Sequence, residues 1–140
     1  MWYLDEPLTE AFTKIIGKKP DFYFFTLESW SLTFVPAAHT SVATGTGRML
    51  AWSGSKFYMM ETSDMSTAKW FPNKVEIIDF KEVTRASRTR FLWIHFFNLE
   101  LKDGKVLRLV ANTWFYRRLH KHTEGIRLFE EKLDQKPRIE

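Results

Sequence analysis

The chain of 140 residues contains no cysteine, which excludes disulfides, thiol catalysis, cysteine-ligated zinc and iron–sulfur clusters. Stability must therefore come from a hydrophobic core. Glycine and proline are scarce, at six and five residues, and this is not the composition of a collagen-like or low-complexity chain. Long apolar runs are also missing. The longest, Phe22 to Phe25 and Phe91 to Phe97 with His95 inside, fall far short of the roughly 20 residues that cross a bilayer as a helix. The start, Met1 to Glu6, carries acids where a signal peptide carries bases, so a cytoplasmic location is the expectation.

Catalytic motifs are equally absent. His39, Thr40 and Ser41 adjoin one another without an orienting acid, and Glu76 and Asp79 are not spaced as a paired acid and base. Gly45-Thr46-Gly47 has no following Lys-Ser/Thr and reads as a turn, not a phosphate loop. His120-Lys121-His122 could chelate a metal from a strand, but its surroundings have a helical period, which points the two rings about 200° apart. The expectation is a protein that is not an enzyme and holds no metal and no cofactor.

What the chain does contain is 44% apolar residues, 27% charged residues, and 13 Phe, six Trp and four Tyr. That suits one globular domain spanning 1–140. Leu8, Phe12, Ile15 and Ile16 share a helical face and Gly17 supplies a stop, predicting a short helix over 7–18. From Asp21 the period changes. Phe22 to Leu27, Arg48 to Trp52, Lys56 to Thr62, Lys74 to Phe80, Val83 to Ser87, Phe91 to Leu101 and Lys105 to Val110 are short segments rich in aromatic and β-branched residues. Seven strands packed so tightly over 21–111 leave no room for crossover helices, so the sheet is antiparallel. The small, polar stretch Pro36 to Gly47 reads as a loop.

One hairpin can be settled by parity. A three-residue loop with Gly104 in the left-handed conformation sets Leu99 opposite Leu107 and Phe97 opposite Leu109, whereas a two-residue loop would face Leu99 with Arg108. After Asn112 or Thr113 the period is helical again through Phe115, Leu119, His122, Ile126, Phe129 and Leu133, predicting a closing helix over 113–133. Gly125 within it implies close approach to another backbone. The fold class is mainly β: a seven-stranded antiparallel barrel capped by a C-terminal helix, with an extra short N-terminal helix.

This order of elements resembles the pleckstrin-homology (PH) superfold. The strand Gly47 to Trp52 feeding Lys56 to Met60, the segment Val75 to Phe80 leading into Glu82-Val83-Thr84, the Lys102-Asp103-Gly104-Lys105 hairpin and the final helix are similar to bacterial PH-like and GRAM-like families. The resemblance implies a non-enzymatic module that binds a lipid headgroup, a peptide or copies of itself. Phosphoinositide-reading members use bases around the first hairpin loop. No Lys or Arg occurs here from Pro20 to Gly47, so that specificity is not carried over.

Charge is unevenly spread: residues 80–127 hold eleven Lys or Arg against four acids, a net +7, in a chain of net +4. Arg85, Arg88, Arg90, Arg117, Arg118 and Lys121 are the candidate anion-binding or partner-binding residues, the last three at the start of a helix charged against its own dipole. Phe91 to Phe97 is apolar on both strand faces, which calls for a second cover: the N-terminal helix, another subunit or a ligand. Phe91, Trp93 and Phe96 are the candidate interface. The expected partners are a second copy of the chain and, weakly, an anionic membrane or an acidic protein surface. Nucleic acid is not expected, because no recognition motif accompanies the modest charge. The rival reading is a lipocalin-like barrel whose aromatics line a cavity for an apolar ligand.

Overall fold

The computed structural model describes residues 5–35, 40–62, 70–113 and 121–139, with backbone alone over 29–35 and 40–45. Helix α1 (Asp5–Ile16) is followed by β1 (Phe22–Val35), β2 (Thr40–Ser53), β3 (Lys56–Thr62) and β4 (Trp70–Asp79). A 3-10 turn, Phe80–Glu82, leads to β5 (Val83–Phe91), β6 (Ile94–Leu101), β7 (Val106–Asn112) and α2 (His122–Leu133). The seven strands form one antiparallel sheet in the order β4-β3-β2-β1-β7-β6-β5.

The β6–β7 hairpin has the register that parity demands, Leu99 opposite Leu107 and Phe97 opposite Leu109. Gly104 takes φ 88°, a conformation glycine adopts without steric cost. At the end of α1, Gly17 at φ 92° likewise turns the chain, its N–H donating to Thr13 O at 2.8 Å.

The sheet carries a helix on each face. Phe22 and Phe24 of β1 point into a core shared with Trp52, Phe57, Phe97 and the α2 residues Ile126, Phe129 and Leu133. Tyr23 and Phe25 point the other way, into a second core with Leu8 and Phe12 of α1, Met49 and Met60. Two cores absorb most of the aromatic surplus: among the described residues the exposed large apolar side chains are Ile77, Phe91, Leu92 and Val106. Phe129 is the hub of the larger core, with ring centroids 5.2 Å from Phe24, 5.3 Å from Phe97 and 5.9 Å from Phe57.

Several expectations are corrected. The sheet is not closed: β4 and β5 do not pair, so there is no barrel mouth for the helix to cap. The physical reason lies in the C-terminal chain, which occupies the β5 side of the opening. Pro137 O accepts the Ala86 N–H at 2.9 Å, and the Lys136 ammonium lies 4.5 Å from the Phe80 ring. Helix α2 lies on the sheet instead, against β1 and β5. Thr113 is not helical, and the 12-residue helix starts at His122; Phe115 and Leu119 lie outside the described residues. Thr40 to Gly47, expected in a loop, belongs to β2, Thr46 pairing with Glu28. A run of small and polar residues has no apolar alternation to mark a strand, and the ladder it extends is made of backbone bonds. The segment Phe91 to Leu101 is divided by a tight turn at Leu92 and Trp93. Helix α1 covers β1 to β3 and does not reach β6.

Two contacts place α2. A Cβ on Gly125 would lie 2.0 Å from Tyr23 O, so the helix can approach β1 only through glycine. His122 is buried and stands between β1 and β7. Its Nδ1 accepts the Phe25 N–H at 3.1 Å, and its Nε2 is 2.8 Å from Asn112 O and must therefore carry the proton. Burial is the main cause lowering the His122 pKa to about 4, helped by the charge of His95 and opposed by the bond to Asn112.

Phe129→Ala is expected to cost roughly 3 to 5 kcal/mol in urea denaturation; a loss below about 1 kcal/mol would remove the ring from the core. Because an unfolded imidazole titrates near 6.5, the depressed native pKa of His122 contributes stability that is complete above about pH 6.5. That contribution disappears as the pH falls toward about 4, in all by roughly 3 kcal/mol. Nitrogen-15 shifts should report a neutral Nε2–H tautomer at pH 5. Native-state titration of His122 near 6.5 would contradict the placement of the ring between Phe25 N–H and Asn112 O.

Candidate functional site

The sequence candidates converge on one edge of the sheet only in part. Arg85, Arg88 and Arg90 all lie on β5, an edge strand, opposite Glu100, Phe97 and His95 of β6. Parity places Arg88 and Arg90 on the α2 side and Arg85 on the other. Lys121 stands apart. It precedes α2, its backbone N–H reaches Asp5 at 3.4 Å, and it lines a different cavity with α1. Arg117 and Arg118 lie outside the described residues.

Arg88 does not offer a free fork. Its Nε and Nη2 donate to the two oxygens of Asp134 at 2.8 and 3.1 Å, and its Nη1 donates to Glu130 at 2.8 Å. These bonds hold the Asp134 carboxyl below its ordinary range, with Arg138 contributing. His95 is buried beside them, its Nδ1 3.3 Å from the same Glu130 oxygen without hydrogen-bond geometry. Glu130 and Asp134, at the end of α2, are thus the partners that clamp α2 to β5.

Past Arg88 the edge ends in a tip. Phe91 and Leu92 are 66% and 58% exposed, while Trp93 and Phe96 are half-buried. Leu92 sits at φ 55°, a left-handed conformation that costs a residue with a Cβ on the order of 1–2 kcal/mol. Three bonds hold the turn: Arg90 Nε donates to Leu92 O at 2.8 Å, and both the N–H and the hydroxyl of Thr113 donate to Trp93 O, at 3.0 and 3.1 Å. Two apolar side chains are thus kept in water by a strained, cross-braced turn. Of the candidate interface, Phe91 is the residue the fold presents; Leu92 was missed, because nothing in an apolar run marks where it will turn.

Two cavities were not legible in the sequence. One, of about 780 Å³, is the seam between α1 and the start of α2. Five carboxylates and three lysines line it, and Asp5 within it accepts the Tyr23 hydroxyl. Burial first, then that acid, raises the Tyr23 pKa. Its charge is the opposite of the anion site expected. The other, of about 280 Å³, lies between β5 and the C-terminal tail. Among the described residues no three His, Asp or Glu side chains cluster as a metal site, and no helix is long and apolar enough to cross a membrane. No family model, curated protein or solved structure matches this chain, and the β5 edge is read from its own chemistry.

Leu92→Gly should relieve the left-handed strain and raise stability by about 0.5–1 kcal/mol, even after the entropy cost of glycine. Thermal or urea denaturation checks this; a loss of more than about 1 kcal/mol would place the Leu92 side chain in packing that its exposure denies.

Proposed function

We propose that the protein is a non-enzymatic, PH-like binding module that docks peripherally on an anionic lipid surface through the β5–β6 tip. The observation that carries this reading is the exposed pair Phe91 and Leu92, held outward by a braced left-handed turn beside the exposed Arg90, with the exposed Arg85 farther along the same edge strand. An apolar tip beside bases matches the two layers of a membrane surface, acyl chains beneath anionic headgroups. Fully burying each apolar side chain contributes about 1.5–3 kcal/mol, and each base near the surface about 1 kcal/mol. The binding is weak, reversible and sensitive to salt.

A second copy of the chain is the less favoured occupant of the same residues. A stable interface buries about 800 Å² on each partner, and behind the two tip residues Ile94 and Phe96 are already half-buried. The interior of the sheet is filled by stacked rings, Trp52 lying 6.0 Å from Phe57 and 5.7 Å from Phe22, which does not favour a lipocalin-like cavity.

Flotation with vesicles of rising phosphatidylserine content tests the proposal. The wild-type protein should bind at low salt and dissociate near 1 M salt, and Phe91→Ser with Leu92→Ser should weaken binding at least about tenfold. Absence of binding at low salt would overturn the lipid reading. A dimer in light scattering that Phe91→Ser dissolves would replace it with self-association.

A further inference from the structure

We propose that the cleft between β5 and the C-terminal tail is a subsite for a phosphate group, carried by a lipid headgroup or by a small phosphorylated molecule. The cleft has a volume of about 280 Å³, with Ser87, Arg88, Asp134, Lys136 and Arg138 around it and Ala86 and Leu133 beneath. Three cations and one carboxylate line it; with Glu130, which is bonded to Arg88, the group is net +1, a charge that attracts an anion.

The fold assembles these residues from two distant parts of the chain. The Ala86 N–H donates to Pro137 O at 2.9 Å, and the Lys136 N–H donates to Leu133 O at 3.0 Å. Together they lay the tail alongside β5, so that Lys136 and Arg138 reach the cleft from either side of Pro137. Lys136 is steadied over the Phe80 ring at 4.5 Å.

The division of roles follows from the hydrogen bonds. The guanidinium of Arg88 is committed to Glu130 and Asp134, so it builds the wall and neutralises Asp134. Lys136 and Arg138 form no ion pair among the described residues, and theirs is the charge left to attract an anion. Arg138 supplies a planar fork suited to two phosphate oxygens and Lys136 a point charge held over the Phe80 ring. The volume exceeds that of a bare phosphate and leaves room for the start of a substituent. The subsite does not depend on the tip: Ser87 is about 13 Å along the strand from Phe91 at 3.3 Å per residue.

Titration of nitrogen-15-labelled protein with inorganic phosphate, against chloride at equal ionic strength, is the test. Saturable shifts at Ser87 and Arg138 are expected, and Lys136→Gln with Arg138→Gln should weaken binding at least tenfold while the protein stays folded, its urea midpoint moving only by the loss of the Lys136–Phe80 contact. Phosphate shifts no larger or more saturable than those with chloride would overturn the subsite whatever the tip does. Phe91→Ser with Leu92→Ser should retain phosphate binding; its loss would also overturn the subsite as placed here. Vesicles of phosphatidic acid and of phosphatidylserine, matched in surface charge, separate the two sources. A preference for phosphatidic acid that the double Gln variant loses identifies a headgroup, whereas phosphate binding without that preference identifies a soluble phosphorylated ligand.

Discussion

The structure turns on a neutral histidine that replaces a rung of the sheet. β1 and β7 pair directly only at Leu27 with Val110 and Glu28 with Leu109; continuing that register sets Phe25 opposite Asn112. There the imidazole of His122 enters, accepting the Phe25 N–H and donating to Asn112 O. A buried backbone N–H left without a partner costs on the order of 1–3 kcal/mol. The ring therefore satisfies both strands and fixes the start of α2 in one act. It can do so only unprotonated, because the cation has no acceptor for Phe25. Gly125 completes the constraint one turn later, by letting the helix backbone touch Tyr23 O.

From that junction the rest follows. β1 lies at the centre of the sheet and buries both faces, Phe22 and Phe24 toward α2 and Tyr23 and Phe25 toward α1. A strand covered on both sides reads as a continuous apolar run, which is how Phe22 to Phe25 appears. With α2 anchored at its start by His122 and at its end by the Arg88 clamp, the tail is delivered to β5. It takes the Ala86 N–H that a closing ladder would need, and so the same placement of α2 that fills the core leaves the sheet open.

The β5 edge shows how charge read from a sequence can change meaning in a fold. Clustered arginines invite an anion site, yet Arg88 belongs to the helix clamp and Lys121 to an acidic seam elsewhere. What remains along the edge is a presented apolar tip beside Arg90, with Arg85 farther along, and a cleft to which the tail brings Lys136 and Arg138. An edge strand rich in arginine also resists pairing with another sheet, which keeps that surface available.

Local chemistry was enough to determine the antiparallel class, the number of strands, α1, the β6–β7 register and the close approach at Gly125, because each rests on periodicity, turn residues or a missing Cβ. Phe129, Ile126 and Leu133 could be assigned to the core for the same reason. Tertiary structure alone decided the open sheet, the cover α1 gives to β1 to β3, the turn at Leu92, the partners of Arg88 and the insertion of His122. Each of these joins residues far apart in the chain: His122 meets Phe25 across 97 positions and Arg88 meets Asp134 across 46. A pattern of neighbours along the chain records which face a side chain favours; it does not record which distant donor or acid will be waiting there.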